Sequence, residues 1–114
     1  PGELARARTA LAAAEIDADL PNSTEEVPSD VRELFAWTVR EGVTNVIRHS
    51  GAKRCTVRLS PEAVEVLDDG CGPTPEHRVG SGLVGLRERA SAHGGTVVTR
   101  AVEPSGYALR VAVT

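Results

Sequence analysis

Two glycine-rich turns carry the chemistry of this chain. Asp68-Asp69-Gly70-Cys71-Gly72 ends an apolar stretch, and ten residues after Gly70 the string Gly80-Ser81-Gly82-Leu83-Val84-Gly85 opens a helical pattern. An aspartate at a strand end can accept a hydrogen bond from an exocyclic amine such as adenine N6. Gly70 and Gly72 let the backbone turn and approach a flat ring without Cβ atoms. Amides at a helix N-terminus hold phosphate, through unpaired N–H groups and the helix dipole. Upstream, Glu41, Asn45, Arg48 and His49 stand at i, i+4, i+7 and i+8 of a helical pattern. At about 100° per residue they share one face. A carboxylate and an amide one turn apart can hold a hard cation, and Mg²⁺ prefers few protein oxygens plus phosphate and water. Arg48 and His49 can meet phosphates at the far end. These are the requirements of a site for ATP with Mg²⁺.

Each feature has a plainer reading. A polar helix face is usually a solvated face, and Asp-Gly is an ordinary turn. The second turn also matches G-x-G-x-x-G, the dinucleotide fingerprint, with Glu103 about 20 residues on. That fingerprint needs a buried strand directly before its first glycine. Here Pro75-Glu76-His77-Arg78-Val79 precede it, a loop-like run, and too little chain follows for a second half-sheet. The dinucleotide reading is set aside.

The elements that must position these residues follow from periodicity. Residues 3–13 are rich in Ala, Leu and Arg and predict a helix. Residues 15–20 alternate, with Ile16, Ala18 and Leu20 on one side, and predict a strand. Residues 21–29 read as a loop. A helix begins near Ser29 or Asp30, where Asp30 and Glu33 fit a capping box. Its apolar stripe is Val31, Leu34, Phe35, Val39, Val43, Val46 and Ile47, and it ends near Ser50-Gly51. Cys55, Val57 and Leu59, then Val64 and Val66, alternate as two strands around the turn Ser60-Pro61-Glu62. Residues 70–81 have no period and read as a loop. A helix of about a dozen residues follows Gly82 and stops at Gly94-Gly95. Strands over 96–102 and 107–113 flank Pro104-Ser105-Gly106. Alternating strands leave one sheet face wet and one covered. The expected fold is an α/β two-layer sandwich, with about five strands in a mixed sheet covered on one face by about three helices.

The 114 residues make one small domain. A net charge of −3, with no basic stripe interleaved with aromatics, argues against a nucleic-acid partner. Phe35, Trp37 and Tyr107 are the chain's aromatic residues, so the core must be aliphatic. No run approaches the roughly 18–20 apolar residues of a membrane helix. Cys55 and Cys71 lack metal-type spacing and read as reduced thiols of a cytosolic domain.

Three blocks resemble the ATP-binding catalytic domain of two-component sensor histidine kinases, of the superfamily shared with DNA gyrase and mismatch-repair ATPases (the Bergerat-type fold). Residues 40–50, REGVTNVIRHS, look like the N box. Residues 68–72, DDGCG, look like the first glycine box. Residues 80–95, GSGLVGLRERASAHGG, look like the second, in the form of the nitrate-sensor and desaturase-thermosensor subfamily. The likeness covers most of residues 30–113.

The resemblance implies roles. Asn45 would ligate Mg²⁺, with Glu41 beside it at the position that polarises the attacking water in related ATPases. Arg48 and His49 would lie near the phosphates. Asp68 would contact adenine, with Gly70 and Gly72 shaping its pocket. Gly80, Gly82, Leu83, Gly85 and Leu86 would build the phosphate loop, and residues 73–81 the ATP lid. In many relatives a threonine follows the glycine of the last hairpin; here Tyr107 follows Gly106, and it reads as a strand aromatic. The kinases autophosphorylate a histidine in a separate helical hairpin, usually with an acidic neighbour. His49, His77 and His93 do not fit that pattern. The expectation is a catalytic domain at residues 14–114, with 1–13 the tail of an upstream helical dimerisation region or a linker. Its γ-phosphoryl group would pass to a histidine of that dimerisation domain, and then to a response regulator. The isolated domain would be cytoplasmic and monomeric, with slow hydrolysis at best. Alternatives are an anti-sigma-factor serine kinase of the same fold and a non-catalytic ATP-sensing module.

Overall fold

In the computed structural model of the chain, five strands form one mixed sheet, and three α-helices pack on one face of it. The structure describes residues 2–21, 27–70, 81–102 and 105–113, with the side chains of 49, 50 and 81–83 outside that description. The order is α1 (Gly2–Ala13), β1 (Asp17–Asp19), α2 (Arg32–Asn45), a π-helical turn (Val46–Ser50), β2 (Arg54–Leu59), β3 (Ala63–Asp68), α3 (Ser81–Ala92), β4 (Thr96–Ala101) and β5 (Tyr107–Ala112). The strands lie in the order β1-β2-β3-β5-β4. β1 is parallel to β2, and the other three pairings are antiparallel.

The register sets three rows of side chains under the helices. Leu59, Val64, Val111 and Val97 form the first; Val57, Val66, Leu109 and Thr99 the second; Cys55, Asp68, Tyr107 and Ala101 the third. The first two rows are almost wholly apolar and join the core with Leu34, Phe35, Val39, Leu86 and Ala90. The third row contains a carboxylate and a phenol, so one end of the sheet is chemically unlike the other. The opposite face is wet only at its margins, contrary to the simple alternation expected: Ala63, Glu65 and Ala108 at its centre are buried. There Arg58 and Arg110 stand opposite Glu65 on either side, and Arg100 Nη2 donates to Glu65 Oε2 at 3.0 Å.

α1 buries Leu4, Ala7 and Leu11 at helical spacing, in the same core as the rest of the chain. It ends in a Schellman pattern, with Ile16 N–H on Leu11 O (2.9 Å) and Glu15 N–H on Ala12 O (3.0 Å). Glu15 takes the left-handed position at φ 60. This ending uses Glu15 and Ile16, so the strand expected over 15–20 is confined to Asp17–Asp19.

The capping box expected at Asp30 and Glu33 is not formed. α2 starts at Arg32, its N-cap is Val31, and no side chain caps it. A turn occupies that place instead: Val31 N–H bonds Pro28 O at 3.1 Å, and Arg32 Nε donates to Val27 O at 2.9 Å. The stripe packs as expected through Val46, but Ile47 is 37 % exposed. The π-helical turn explains the difference, because its i→i+5 bonding puts more residues in each turn and lowers the rotation per residue after Asn45. β4 and β5 are each one residue shorter than expected, although Val102 N–H still bonds Gly106 O (3.1 Å) and Val113 N–H bonds Glu62 O (2.7 Å). α3 begins at Ser81, slightly earlier than expected. It stops where the glycine pair predicts: Gly94 has φ 71, its N–H bonds Ser91 O (3.0 Å), and Gly95 N–H bonds Ala90 O (2.7 Å).

Candidate nucleotide-binding site

Three elements converge at the Asp68 end of the sheet. α2 begins over the opposite end, where Phe35 and Val39 share a cavity with Leu59 of the first row. Its middle crosses the second row: a Cβ on Gly42 would stand 2.8 Å from Val66 Cβ. Its last turn, with Asn45, therefore advances toward the third row. α3 runs the other way. Gly95, just past its C-terminus, packs on Ala112 and Val113, and Glu33 at the start of α2 shares a hollow with Ala92 and His93. The N-terminus of α3 thus points to the same end as Asn45 and Asp68.

The Asp68-Asp69-Gly70 turn is held from three sides. Asp68 Oδ1 accepts Gly70 N–H at 2.8 Å. Asp69 Oδ1 accepts the N–H groups of Lys53 (2.8 Å) and Arg54 (3.0 Å) at the start of β2. Ser105, in the β4–β5 loop, donates its hydroxyl to Gly70 O at 2.8 Å, with Asp69 O also near at 3.3 Å. The two carboxylates differ accordingly. Burial pushes the Asp68 carboxyl above its ordinary value, against the opposing Gly70 hydrogen bond. The Arg54 and Lys53 amides hold Asp69 below its ordinary value. Cys55, directly opposite Asp68 on β2, is fully buried, and its thiol is pushed up to about 12 by burial and then by the Asp68 charge. It is a packing residue, not a nucleophile.

Glu41 and Asn45 lie one turn apart on α2, both partly exposed. Arg48 lies beyond them in the π-helical turn, exposed; His49 is in the same turn, with its side chain outside the described residues. Gly82, Leu83, Gly85 and Leu86 are in the first turn and a half of α3. Leu86 is fully buried and anchors that end to the core. Gly72, Gly80 and most of the expected lid lie outside the described residues. Among the described residues no three His, Cys, Asp or Glu side chains cluster for a metal. Two oxygen-bearing side chains on an open face fit an ion that completes its shell with phosphate and water.

Periodicity missed two contributors. Trp37 lies one turn before Glu41 on the same face, with the Arg89 guanidinium 4.0 Å and that of Arg40 5.5 Å from the ring centroid. This cation–π contact ties α2 to α3. The sequence shows Ser105 only as part of a turn; its bond to Gly70 spans 35 residues, which no local pattern reveals. An apolar cavity of about 370 Å³ between α1 and α2 is lined by none of the motif residues.

The sheet order and the helices on one face give the fold, and sequence similarity gives the class: the chain is homologous to the ATP-binding catalytic domain of sensor histidine kinases. It is 32% identical over 85 residues to the sensor histidine kinase LnrJ of Bacillus subtilis, which covers 71% of this chain and 21% of LnrJ. It is 34% identical over 95 residues to the sensor histidine kinase YxjM of the same organism, covering 80% of this chain and 23% of YxjM. The chain therefore spans about a fifth of the length of these curated relatives. The crystal structure of the ATP-binding domain of PrrB from Mycobacterium tuberculosis superposes with a TM-score of 0.60 at 23% identity, covering 98% of this chain and 90% of that one. No family model matches the chain. No helix among the described residues is long and apolar enough to cross a membrane.

Proposed function

We propose that this chain binds ATP with Mg²⁺ and donates the γ-phosphoryl group to a histidine on a separate helical dimerisation domain of the same kinase. The observation that supports this is the convergence of Asp68, the Glu41–Asn45 face and the N-terminus of α3 at one end of the sheet. Asp68 accepts the exocyclic amine of the base through the oxygen that Gly70 leaves free. Gly70 and Gly72 let the backbone lie close to the ring. Backbone amides over residues 80–85 hold the phosphates, with Arg48 and His49 at their far end. Asn45 and Glu41 would hold Mg²⁺, which when bound neutralises charge on the phosphate oxygens. Positioning and charge compensation carry most of phosphoryl transfer. Residues 73–81 act as a lid that excludes water.

In this reading α1 is the junction to the dimerisation domain, and a response regulator takes the phosphoryl group from the phosphohistidine. The domain works on the cytosolic side. Calorimetric titration with ATP, with and without Mg²⁺, tests the first step, and absence of uptake under both conditions would overturn it. Transfer from labelled ATP to the acceptor hairpin of the parent kinase tests the second. Tight binding without transfer would favour a nucleotide-sensing module.

A further inference from the structure

α3 is held to the rest of the domain by few side chains. Of those described from Val84 onward, Leu86 and Ala90 are the buried ones, one turn apart on a single line. Val84 is 53 % exposed. That line fixes the height of the helix over the sheet. It leaves the sideways swing to the flanks. Two arginines stand there, each about 80° from the line at roughly 100° per residue. On one flank Arg87 Nη1 donates to Val97 O of β4 at 3.4 Å. On the other, the Arg89 guanidinium lies 4.0 Å from the ring centroid of Trp37 on α2. Arg40 also approaches that ring, but from within α2, so its contact links no second element.

α2 and α3 run in opposite directions, so their arms beyond this contact reach the same end of the sheet. Asn45 is eight residues after Trp37, and Ser81, the first residue of α3, is eight residues before Arg89. Each arm is therefore about 12 Å long, at roughly 1.5 Å per residue. In the nucleotide reading above, Mg²⁺ is held at the tip of one arm and the phosphates at the tip of the other. A swing of roughly 5° over such an arm moves its tip by about 1 Å, enough to spoil alignment for group transfer. We propose that Trp37 and Arg89 are positioning residues for phosphoryl transfer: their contact sets the separation of Asn45 from the first turn of α3. This rests on the nucleotide reading and adds two residues to it. They act through the helices that carry the site, not on the ligand.

The experiment is calorimetry of the full chain and its variants with ATP–Mg²⁺ and with adenosine, which has the base but no phosphates. Arg89→Gln is expected to weaken ATP–Mg²⁺ about two- to fivefold, the range that a solvent-facing cation–π contact can supply, and to leave adenosine unchanged. Trp37→Leu is expected to do the same. Arg89→Lys and Trp37→Phe, which keep a cation and a ring, are expected to restore ATP–Mg²⁺ affinity. The double variant Trp37→Leu/Arg89→Gln is expected to match the single ones, because each alone already removes the contact. Trp37 is the chain's one tryptophan, so its emission reports the contact directly, and Arg89→Gln is expected to change it. Unchanged emission, or additive losses in the double variant, would overturn the contact. Parental ATP–Mg²⁺ affinity in Arg89→Gln, or an equal loss for adenosine, would overturn the positioning role and leave the nucleotide site standing. Absence of uptake of either ligand by the parent chain would overturn both.

Discussion

Gly42 of α2 lies against Val66 of β3 so closely that a Cβ on the glycine would stand 2.8 Å from the valine Cβ and 2.8 Å from its Cγ2. That contact sets the height of α2 above the sheet, and with it the height of Asn45, three residues further along the same helix. Gly42→Ala gains helix propensity but must push α2 away from β3. We expect overpacking to win, with a loss of about 1–3 kcal/mol in urea unfolding. ATP affinity should fall as well. Unchanged stability would mean that the helix slides without cost, and that the contact does not fix the site.

Ser105 joins the β4–β5 loop to the Asp68-Asp69-Gly70 turn through its 2.8 Å bond to Gly70 O. Ser105→Ala removes that donor. Because the contact is only partly buried, the cost should be near that of an ordinary hydrogen bond, about 1 kcal/mol. ATP affinity should drop, while tripolyphosphate affinity stays. Ser105→Thr, which retains the hydroxyl, should restore the parental value. Equal loss for both ligands would show that Ser105 serves the fold rather than the purine end.

Asn45→Ala removes one of the two oxygen-bearing side chains assigned to Mg²⁺. The expected outcome is loss of the Mg²⁺-dependent part of ATP affinity, read as the difference between titrations with and without the metal. An unchanged difference would move the metal away from α2.

Much of this arrangement was legible because two signals agreed. Alternation in residues 55–59 and 64–66 named the strands that pair around Ser60–Glu62, and the Gly94-Gly95 pair named the end of α3. The start of α2 is not legible, because Asp30 and Glu33 have the spacing of a capping box, whereas Val31 caps without a side chain and Arg32 bonds back to Val27. Ile47 was misplaced because a 3.6-residue period does not anticipate a π-helical turn. Asp69 was invisible for another reason. Its partners Lys53 and Arg54 come from a different strand, so its role in bracing the turn exists only after β2 and β3 pair.

Glu15 ends α1 at φ 60, a conformation glycine adopts without the steric cost that a Cβ imposes. Glu15→Gly should raise stability by up to about 1 kcal/mol, less what is lost to the greater freedom of glycine in the unfolded chain. ATP affinity should not change, since Glu15 is exposed and belongs to none of the elements that meet at Asp68. A fall in the melting temperature would show that the side chain contributes something the backbone geometry does not reveal.

The adjacent carboxylates Asp68 and Asp69 should pull stability in opposite directions with pH. Asp69 sits below its ordinary value because Arg54 and Lys53 amides bind its anion. Its contribution is therefore full above the unfolded-state value near 3.8 and is lost as pH falls through the lower folded value. Asp68 sits above its ordinary value because burial disfavours the anion. From 3.8 upward to that raised value the folded state holds more proton than the unfolded one, so stability declines as pH rises through the window. Above that window the Asp68 carboxylate is a net cost in the empty protein. Asp68→Asn removes the charge but keeps an oxygen for Gly70 N–H, so it should raise the melting temperature without ligand. The same change replaces an anionic acceptor by a weaker neutral one and should lower ATP affinity and the discrimination against GTP. Opposite signs in melting and binding are the expected signature of a residue retained for its ligand rather than for the fold. A variant that is both less stable and equally selective would place the base elsewhere.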